Sequence, residues 1–282
     1  MFKSPEIKRC KVIAVGDGFL CLKREGSKPQ KDIWYVVNPI TKQVLKLPKP
    51  ATECECPYTC AYGIGFDVSS GTLKVVRVCF SSYESGFSYT LGAEVYDFGE
   101  RCWRRPCTSR VSIFPVRVLG GAIFPQERAI SAKGGQGMEP KIVSFDLGKE
   151  EFSLLRPPKF KDVGSETGLF EVGGSLAIAN HSLARRVEIW VLESGSKWTK
   201  RYKIELAAFP ENFKDHVIPR RVRCVGKIDG QLVLVNFAGR HCFSFYSPKQ
   251  RRSSRGFDFE HVPHVCLSHI FAFTPTLISF HL

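Results

Sequence analysis

The stretch Tyr35–Pro48, YVVNPITKQVLKLP, decides the fold. An apolar run reaches Asn38, a short turn follows, the chain returns through Val44 six positions on, and Pro48 stops it. The pattern recurs as EVYDFGERCWRRP (Glu94–Pro106), VSFDLGKEEFSLLRPP (Val143–Pro158) and, more loosely, IWVLESGSKWTKRYKI (Ile189–Ile204). With Asn38, Asp97, Asp146 and Leu192 taken as equivalent, the sixth residue on is Val44, Trp103, Phe152 and Trp198, each large and apolar. An Asn or Asp side chain accepts from backbone N–H groups about two residues on and closes a turn. Small or flexible residues follow: Thr41, Gly99, Gly148 and Gly195. The pattern therefore predicts a β-hairpin with one apolar face. Pro48, Pro106 and Pro157 end the returning strand, because proline cannot donate to a ladder.

A second pattern precedes most of these hairpins: a glycine, any residue, then Leu or Ile opening an apolar strand. It occurs at Gly18–Leu20, Gly121–Ile123, Gly174–Leu176 and Gly230–Leu232. The second unit has instead GIGFDVSSGTLKVVRVCF (Gly63–Phe80), itself a strand, a turn and a strand. Each unit of about fifty residues thus holds about four strands, the signature of a propeller blade. No helical period stands out, whereas Val187, Ile189 and Val191 alternate onto one face of a strand. A blade cannot bury its faces alone. The reading is an all-β, kelch-like β-propeller of about five to six blades, forming a single domain over residues 1–282. Its main loops are expected at Ser131–Pro140, Ala208–Pro219 and Ser247–Gly256.

Composition supports a globule and excludes disorder and collagen: 282 residues are 43% hydrophobic and 24% charged. No stretch approaches the ~18 apolar residues of a membrane span, so no membrane partner is expected. The N-terminus offers only the apolar run Val12–Val15, too short for a signal-peptide core. Eleven cysteines cannot form a complete disulfide framework. The compartment is read as reducing, cytoplasmic or nuclear, with thiols packed as small hydrophobes and the sequon Asn180-His181-Ser182 without glycan.

Forty-one Lys and Arg against 27 Asp and Glu give a formal charge of +14. Such an excess favours acidic partners. The basic knots Arg104-Arg105, Arg185-Arg186, Arg220-Arg221-Arg223 and Arg251-Arg252-Arg255 are read as solvated surface. The stretch Lys249–Arg255 offers at most a weak nuclear-import signal. No RNP-like aromatic motif accompanies them, so nucleic acid is not the expected partner.

The chemistry of known sites is missing. No G-x-S-x-G, H-E-x-x-H, P-loop or G-x-G-x-x-G occurs. Asp97, Gly99 and Trp103 imitate the Asp box of sialidase-like propellers, yet the spacing is one residue too long and the Ser is absent. Gly134-Gly135-Gln136-Gly137 has no strand-to-helix context for a phosphate. Two clusters could suggest zinc: Cys54, Cys56 and Cys60, and His261, His264, Cys266 and His269. Neither shows the two matched pairs of a closed site. No catalytic residue, metal ligand or cofactor is assigned. No single binding residue is assigned either; Arg220, Arg221 and Arg223 are only a basic spot.

Six segments in one order carry a resemblance: VGDGFLCL (Val15–Leu22), VVNPITKQVLKLP (Val36–Pro48), YGIGFDVSSGTLKVVRV (Tyr62–Val78), AEVYDFGERCWRRP (Ala93–Pro106), KIVSFDLGKEEFSLLRPP (Lys141–Pro158) and VGGSLAIANHS (Val172–Ser182). Together they resemble the plant F-box-associated β-propeller domain, type 1 or type 3. Thr274–Leu282 resembles the closing strand of many members. The third unit departs from the family, reading GGAIFP and then SAKGGQGMEP where a Trp-bearing strand is usual. The resemblance implies recognition of a protein substrate for an SCF-type ubiquitin ligase. No F-box-like helical segment precedes Val15, so the Skp-type adaptor and cullin are expected only as indirect partners. The alternatives are an F-box-less decoy or scaffold, or a basic nucleic-acid-binding propeller.

Overall fold

Paired residues of positive φ turn the first strand of a sheet back into the second. Asp17 and Gly18 (φ 47° and 80°), Gly173 and Gly174 (59° and 78°) and Asp229 and Gly230 (48° and 79°) form these two-residue turns. Positive φ at both central residues is the type I′ turn, whose twist matches that of the flanking strands. This explains the glycine of the second sequence pattern at positions 18, 174 and 230; Gly121 lies outside the described residues. The computed structural model describes residues 7, 9–27, 31–50, 60–82, 89–105, 108–111, 118–119, 142–160, 166–182, 186–193, 197–205, 222–236, 242–258, 273 and 275–278.

The first sheet is the meander β1 (Lys11–Gly16), β2 (Phe19–Arg24), β3 (Ile33–Asn38), β4 (Gln43–Lys46). The second runs β5 (Cys60–Asp67), β6 (Thr72–Ser82), β7 (Tyr89–Asp97), β8 (Cys102–Arg104), and β9 (Thr108–Val111) resumes the outer edge along β7. The third sheet is smaller: β10 (Val118–Leu119) pairs parallel with β11 (Ile142–Asp146), which pairs with β12 (Glu151–Leu155). Two further meanders follow, β13 (Glu166–Val172), β14 (Ser175–Ser182), β15 (Arg186–Glu193), β16 (Lys197–Glu205), and β17 (Val222–Ile228), β18 (Gln231–Asn236), β19 (Cys242–Ser247), β20 (Arg252–Asp258). Among the described residues there is no α-helix. The architecture is all-β and of propeller type, its unit the four-stranded antiparallel meander.

The chain divides into two compact units, Met1–Arg156 with Phe273–Leu282, and Pro157–Ala272. Within the first, β5 packs beside β1 and β2; within the second, β17 packs beside β13 and β14. Alternate residues explain how. Ala14, Phe19, Cys21, Trp34 and Val36 of the first sheet meet Tyr62, Ile64, Leu73, Val75 and Tyr96 of the second in one buried cluster. Leu22, Tyr35 and Val37 face the other way, into a separate cluster with Ile7, Val12 and Val44. A sheet apolar on both faces needs cover on each side, which the stacking of successive blades supplies. In the second unit Val187, Ile189 and Val191 are buried on one face, as their alternation foretold.

The hairpins of the opening pattern form with the expected turn. Asn38 Oδ1 accepts from the backbone N–H of Ile40 and Thr41 (2.9 and 3.2 Å), Asp97 Oδ1 from Gly99 (2.8 Å), and Asp146 Oδ1 from Gly148 and Lys149 (2.9 and 2.8 Å). The left-handed residue, however, is the fourth of each turn and not a glycine: Lys42, Arg101 and Glu150 have φ 60°, 56° and 56°. Gly99 and Gly148 are small for another reason. A Cβ there would sit 3.2 Å from Asp97 Oδ1 and 3.4 Å from Asp67 Oδ1, against the carboxylates that build the turns.

Three expectations are corrected. Leu192 is not the equivalent of Asn38: it faces Trp198 directly, and Glu193↔Lys197 closes a turn one residue shorter. Ser247–Gly256 is not a loop but a hairpin, with Tyr246↔Ser253 and Ser244↔Arg255 paired across it and Ser247 Oγ accepting from Gln250. It is another copy of the repeat, hidden because Ser247 replaces the Asx residue and Ser253 the large apolar one. Finally, residues 275–278 are not in a strand. Their carbonyls are taken by a side chain instead, Asn38 Nδ2 donating to Thr276 O (3.2 Å) and Ile278 O (2.7 Å).

Two glycines test this arrangement. Gly18 and Gly230 share almost the same φ, but a Cβ on Gly18 would lie 2.3 Å from Thr276 Cγ2, whereas nothing lies within 4 Å of one on Gly230. Gly230→Ala is expected to cost about 1–2 kcal/mol, the left-handed penalty alone. Gly18→Ala should cost clearly more in urea denaturation and make residues 275–278 more sensitive to limited proteolysis.

Candidate functional site

In a meander the connections alternate between two ends of the sheet. One end of each sheet carries the hairpin turns 17–18, 39–42, 68–71, 98–101, 147–150, 173–174, 229–230 and 248–251, of two or four residues each, and β10, parallel to β11, also runs toward that end of the third sheet. The strand ends Arg24, Lys46 and Glu205 lie at the opposite end, with 8, 13 and 16 residues of sequence before the next strand.

The turn end of the first unit is locked by buried charge. Lys74, the third residue of β6, is 3% exposed. Its Nζ donates to Asp67 Oδ2 (2.7 Å), Glu150 Oε1 (2.9 Å) and the carbonyl of Leu147 (3.0 Å), joining the second sheet to the turn of the third. Asp67 also accepts from the Ser69 and Ser70 hydroxyls, both at 2.6 Å. Arg104 forks onto both oxygens of Glu150 and reaches Asp97 Oδ2 at 3.3 Å. Lys74's hydrogen bond, then those of Ser69 and Ser70, hold the Asp67 carboxyl well below the usual carboxylate range. Burial opposes the charge of Lys74, but Asp67 and Glu150 outweigh it and raise its pKa above the ordinary lysine value. Lys74, Asp67 and Glu150 are each held by several partners from the protein itself, so the cluster binds the protein to itself.

The middle of the same sheet holds a second buried pair, Arg77 Nη1 with Glu94 Oε2 at 2.8 Å, and Arg105 Nε reaches Glu94 Oε1 at 3.4 Å. Arg77 Nη2 also lies 3.7 Å from Cys60 Sγ, and Cys60 Sγ is 3.5 Å from Cys79 Sγ, the residue directly opposite it. At the connection end of the first sheet, Lys23 pairs with Asp32 (2.7 Å, both buried) and lies 5.9 Å from the Trp34 ring centroid. Gly26 N–H donates to Asp32 Oδ1 at 2.9 Å. These contacts tie Gly26 and Lys23 to Asp32. Lys11 pairs with Glu25, and Lys31 and Lys46 are exposed.

In the second unit the outer strand β16 is basic, and three of its cations are engaged: Lys200 with Glu188 (3.1 Å) and 5.0 Å above the Trp190 ring, Arg201 with Glu193 (3.0 Å), Lys203 with Glu205 (2.7 Å). Charged side chains on an outer strand discourage a further strand from pairing there.

Several sequence expectations meet this geometry. Of the knot Arg104-Arg105, Arg105 is exposed as expected, though its Nε reaches Glu94, while Arg104 is half-buried and bound by Asp97 and Glu150. Arg251 and Arg252 are exposed on the turn and strand of a hairpin. Asn180 of the sequon is 2% exposed in mid-strand, where a glycan has no room. Cys21 and Cys224 pack as small hydrophobes, and burial pushes both thiols up to about 12. Of the Cys54, Cys56 and Cys60 cluster only Cys60 is described, on β5. His261, His264, Cys266 and His269, Arg220 and Arg221, Arg185, Ser131–Pro140 and Ala208–Pro219 lie outside the described residues, and for Arg223 only the backbone position on β17 is described. Asp67, Lys74 and Glu150 were not anticipated, since they meet across 76 positions of sequence. The one available signal was a lysine in the apolar run LKVVRV, which a buried strand must neutralise. Among the described residues no helix is long and apolar enough to cross a membrane.

Comparison with known proteins follows the same line. Residues 2–275 match the model of the F-box associated beta propeller domain. The chain is 30% identical over 166 residues to the putative F-box protein At4g09190 of Arabidopsis thaliana, a match covering 57% of this chain and 39% of that protein. It is 30% identical over 149 residues to the F-box/LRR-repeat/kelch-repeat protein At1g09650 of the same plant, covering 51% and 37%. The matched stretch thus spans under half the length of these curated relatives. Among solved structures, Pyrococcus horikoshii acylaminoacyl peptidase is similar over 88% of this chain and 45% of its own at 9% identity, with a TM-score of 0.37, too distant to carry an argument.

The turn-end cluster sets a pH dependence. The folded pKa of Asp67 lies below its unfolded value of about 3.9. Its contribution is therefore complete above about pH 4 and is lost as pH falls through the folded value. Urea midpoints measured from pH 7 to pH 2 should fall on the acid side, and Asp67→Asn should flatten part of that limb while lowering the plateau. Lys74→Met strands buried carboxylates and is expected to cost about 3–5 kcal/mol at pH 7.

Proposed function

Since the chain belongs to the F-box associated β-propeller family, we propose that it is a recognition module, the part of an SCF-type ubiquitin ligase receptor that holds the protein to be ubiquitinated. Relatives named as F-box proteins support this reading. The observation that carries it further is the asymmetry of the sheets. The hairpin turns hold two or four residues, and those of the second and third sheets are tied by the buried Asp67, Asp97 and Glu150, which leaves them little freedom for adaptation. Past the opposite strand ends Arg24, Lys46 and Glu205 the sequence to the next strand runs to 8, 13 and 16 residues, and binding residues concentrate on such connections when a rigid scaffold positions them. We assign recognition to that connection end, with binding and not turnover as its role.

The exposed Lys31 and Lys46 there, and the overall charge of +14, favour an acidic surface on the bound protein. The proposal includes residues 1–282 as one domain of five to six kelch-like blades, working in the cytoplasm or nucleus and without a cofactor. A decoy or scaffold would bind the same targets without delivering them.

A pull-down from plant extract with the full chain as bait, read by mass spectrometry, tests this. A reproducibly enriched protein, lost at high salt and lost when residues 51–59 are replaced by a Gly-Ser segment of equal length, is the expected result. Val68→Ser, on the turn end, should leave capture unchanged. Adaptor and cullin peptides in the same eluate would place the chain in a ligase, and a target without them would favour the decoy. Capture that survives the 51–59 replacement and fails with Val68→Ser would overturn the assignment of the binding end.

A further inference from the structure

The structure assigns Cys60 and Cys79 as a modification site, a pair of thiols that peroxide converts to an intrachain disulfide between β5 and β6. The two residues face each other in register across antiparallel strands, with Sγ atoms 3.5 Å apart. Directly opposed residues of an antiparallel pair have Cα atoms about 4.5–5.5 Å apart. That falls within the range of about 4.4–6.8 Å that a disulfide spans, so the bond forms by small side-chain rotations and needs no backbone movement. Both side chains are partly exposed, unlike Cys21 and Cys224, which are buried. Small oxidants therefore reach them.

Arg77 sets the order of events. Its Nη2 approaches Cys60 Sγ at 3.7 Å while Nη1 stays on Glu94, so Cys60 is the sulfur beside which negative charge is best tolerated. Cys60, as thiolate, attacks one oxygen of hydrogen peroxide; the O–O bond breaks and the departing hydroxide takes up the thiol proton as water. Cys60 is left as a sulfenic acid. The Cys79 thiolate then attacks the Cys60 sulfur, the S–O bond breaks, and the second hydroxide leaves as water with the Cys79 proton. Two thiols and one peroxide thus give one disulfide and two waters, the sulfurs losing two electrons and the peroxide gaining them. Thiol–disulfide exchange with a reduced dithiol reverses the step.

The site has a defined place in the fold. Cys60 opens β5 directly after connection 47–59, so the bond would fasten the strand at the point where that connection enters the sheet. This assignment is independent of what the connection end binds.

Titration of the full chain with hydrogen peroxide, followed by alkylation of remaining thiols, proteolysis and tandem mass spectrometry, tests it. The expected product is a linked peptide pair joining Cys60 to Cys79, lighter by two hydrogens and abolished by dithiothreitol. Cys54 and Cys56 share a tryptic peptide with Cys60, so the same titration on the full chain carrying Cys54→Ser and Cys56→Ser should give the identical link. Cys79→Ser should leave Cys60 to advance to sulfinic acid at the same peroxide dose. A link from Cys60 to Cys54 or Cys56, sulfinic acid at Cys60 in the unsubstituted chain without any link, or oxidation confined to other cysteines would each overturn the assignment. The unsubstituted chain answers the question even if a variant fails to fold.

Discussion

An ammonium group almost without solvent is the constraint on which the first unit turns. Lys74 sits at 3% exposure in a strand whose neighbours are Leu73, Val75 and Val76, all buried. Such a charge is tolerated only with partners at hydrogen-bond distance. One partner, Asp67, is on its own hairpin; the others, Glu150 and the Leu147 carbonyl, belong to the next sheet. The lysine therefore cannot be satisfied by either sheet alone. Glu150 holds a left-handed backbone at φ 56° while its carboxylate is shared between Lys74 and Arg104. That backbone belongs to the turn, since Lys42, Arg101 and Arg251 share it at the same position, and the turn thereby aims the Glu150 carboxylate at the two cations.

A buried ion pair is a weak net stabiliser relative to apolar residues of the same shape. The use of this one is better sought in register. Blades are alike, and apolar faces pack in many alignments. A lysine that finds both carboxylates and the carbonyl in only one alignment fixes which turn lies beside which. The Asx turns add to this, because each Asn or Asp is spent on its own backbone N–H groups, and Asp67 and Asp97 then use a second oxygen for the network. The hairpin turns of the second and third sheets are thereby tied to one another, and variation is left to the longer connections, whose length no two- or four-residue turn sets.

Much of this was legible because it is local. Period-two alternation located Val187, Ile189 and Val191, and Asn38, Asp97 and Asp146 announced their turns by residue type. What escaped was either disguised or distant. Ser247 performs the Asx role with a hydroxyl, so a hairpin read as a loop. In the Leu192 copy a missing turn residue shifted the equivalence by one, which no count from a single landmark detects. Thr274–Leu282 has strand-like composition, yet Asn38 occupies two of its carbonyls. Arg104 looked like surface, as its exposed neighbour Arg105 is, because the acid that holds it, Glu150, lies 46 positions away. Repeats and turns follow from neighbours in sequence, while charge satisfaction depends on which sheets become neighbours in space.

Strand β6 brings these threads together. Along its 11 residues it places Lys74 near the turn end, Arg77 in the middle and Cys79 toward the connections, with apolar residues between them. Each polar group is met by a partner from a different element: Lys74 by the third sheet, Arg77 by β7, Cys79 by β5. Cys79 lies five positions on from Lys74, about 17 Å at the rise of an extended strand. A bond between Cys60 and Cys79 thus constrains the end from which the connections leave and does not disturb the ion cluster that sets the register. Arg77 stands between the two and is tied to Glu94, so its charge can assist a sulfur without being released from the core. The same strand that fixes the scaffold at one end is in this way left chemically addressable at the other.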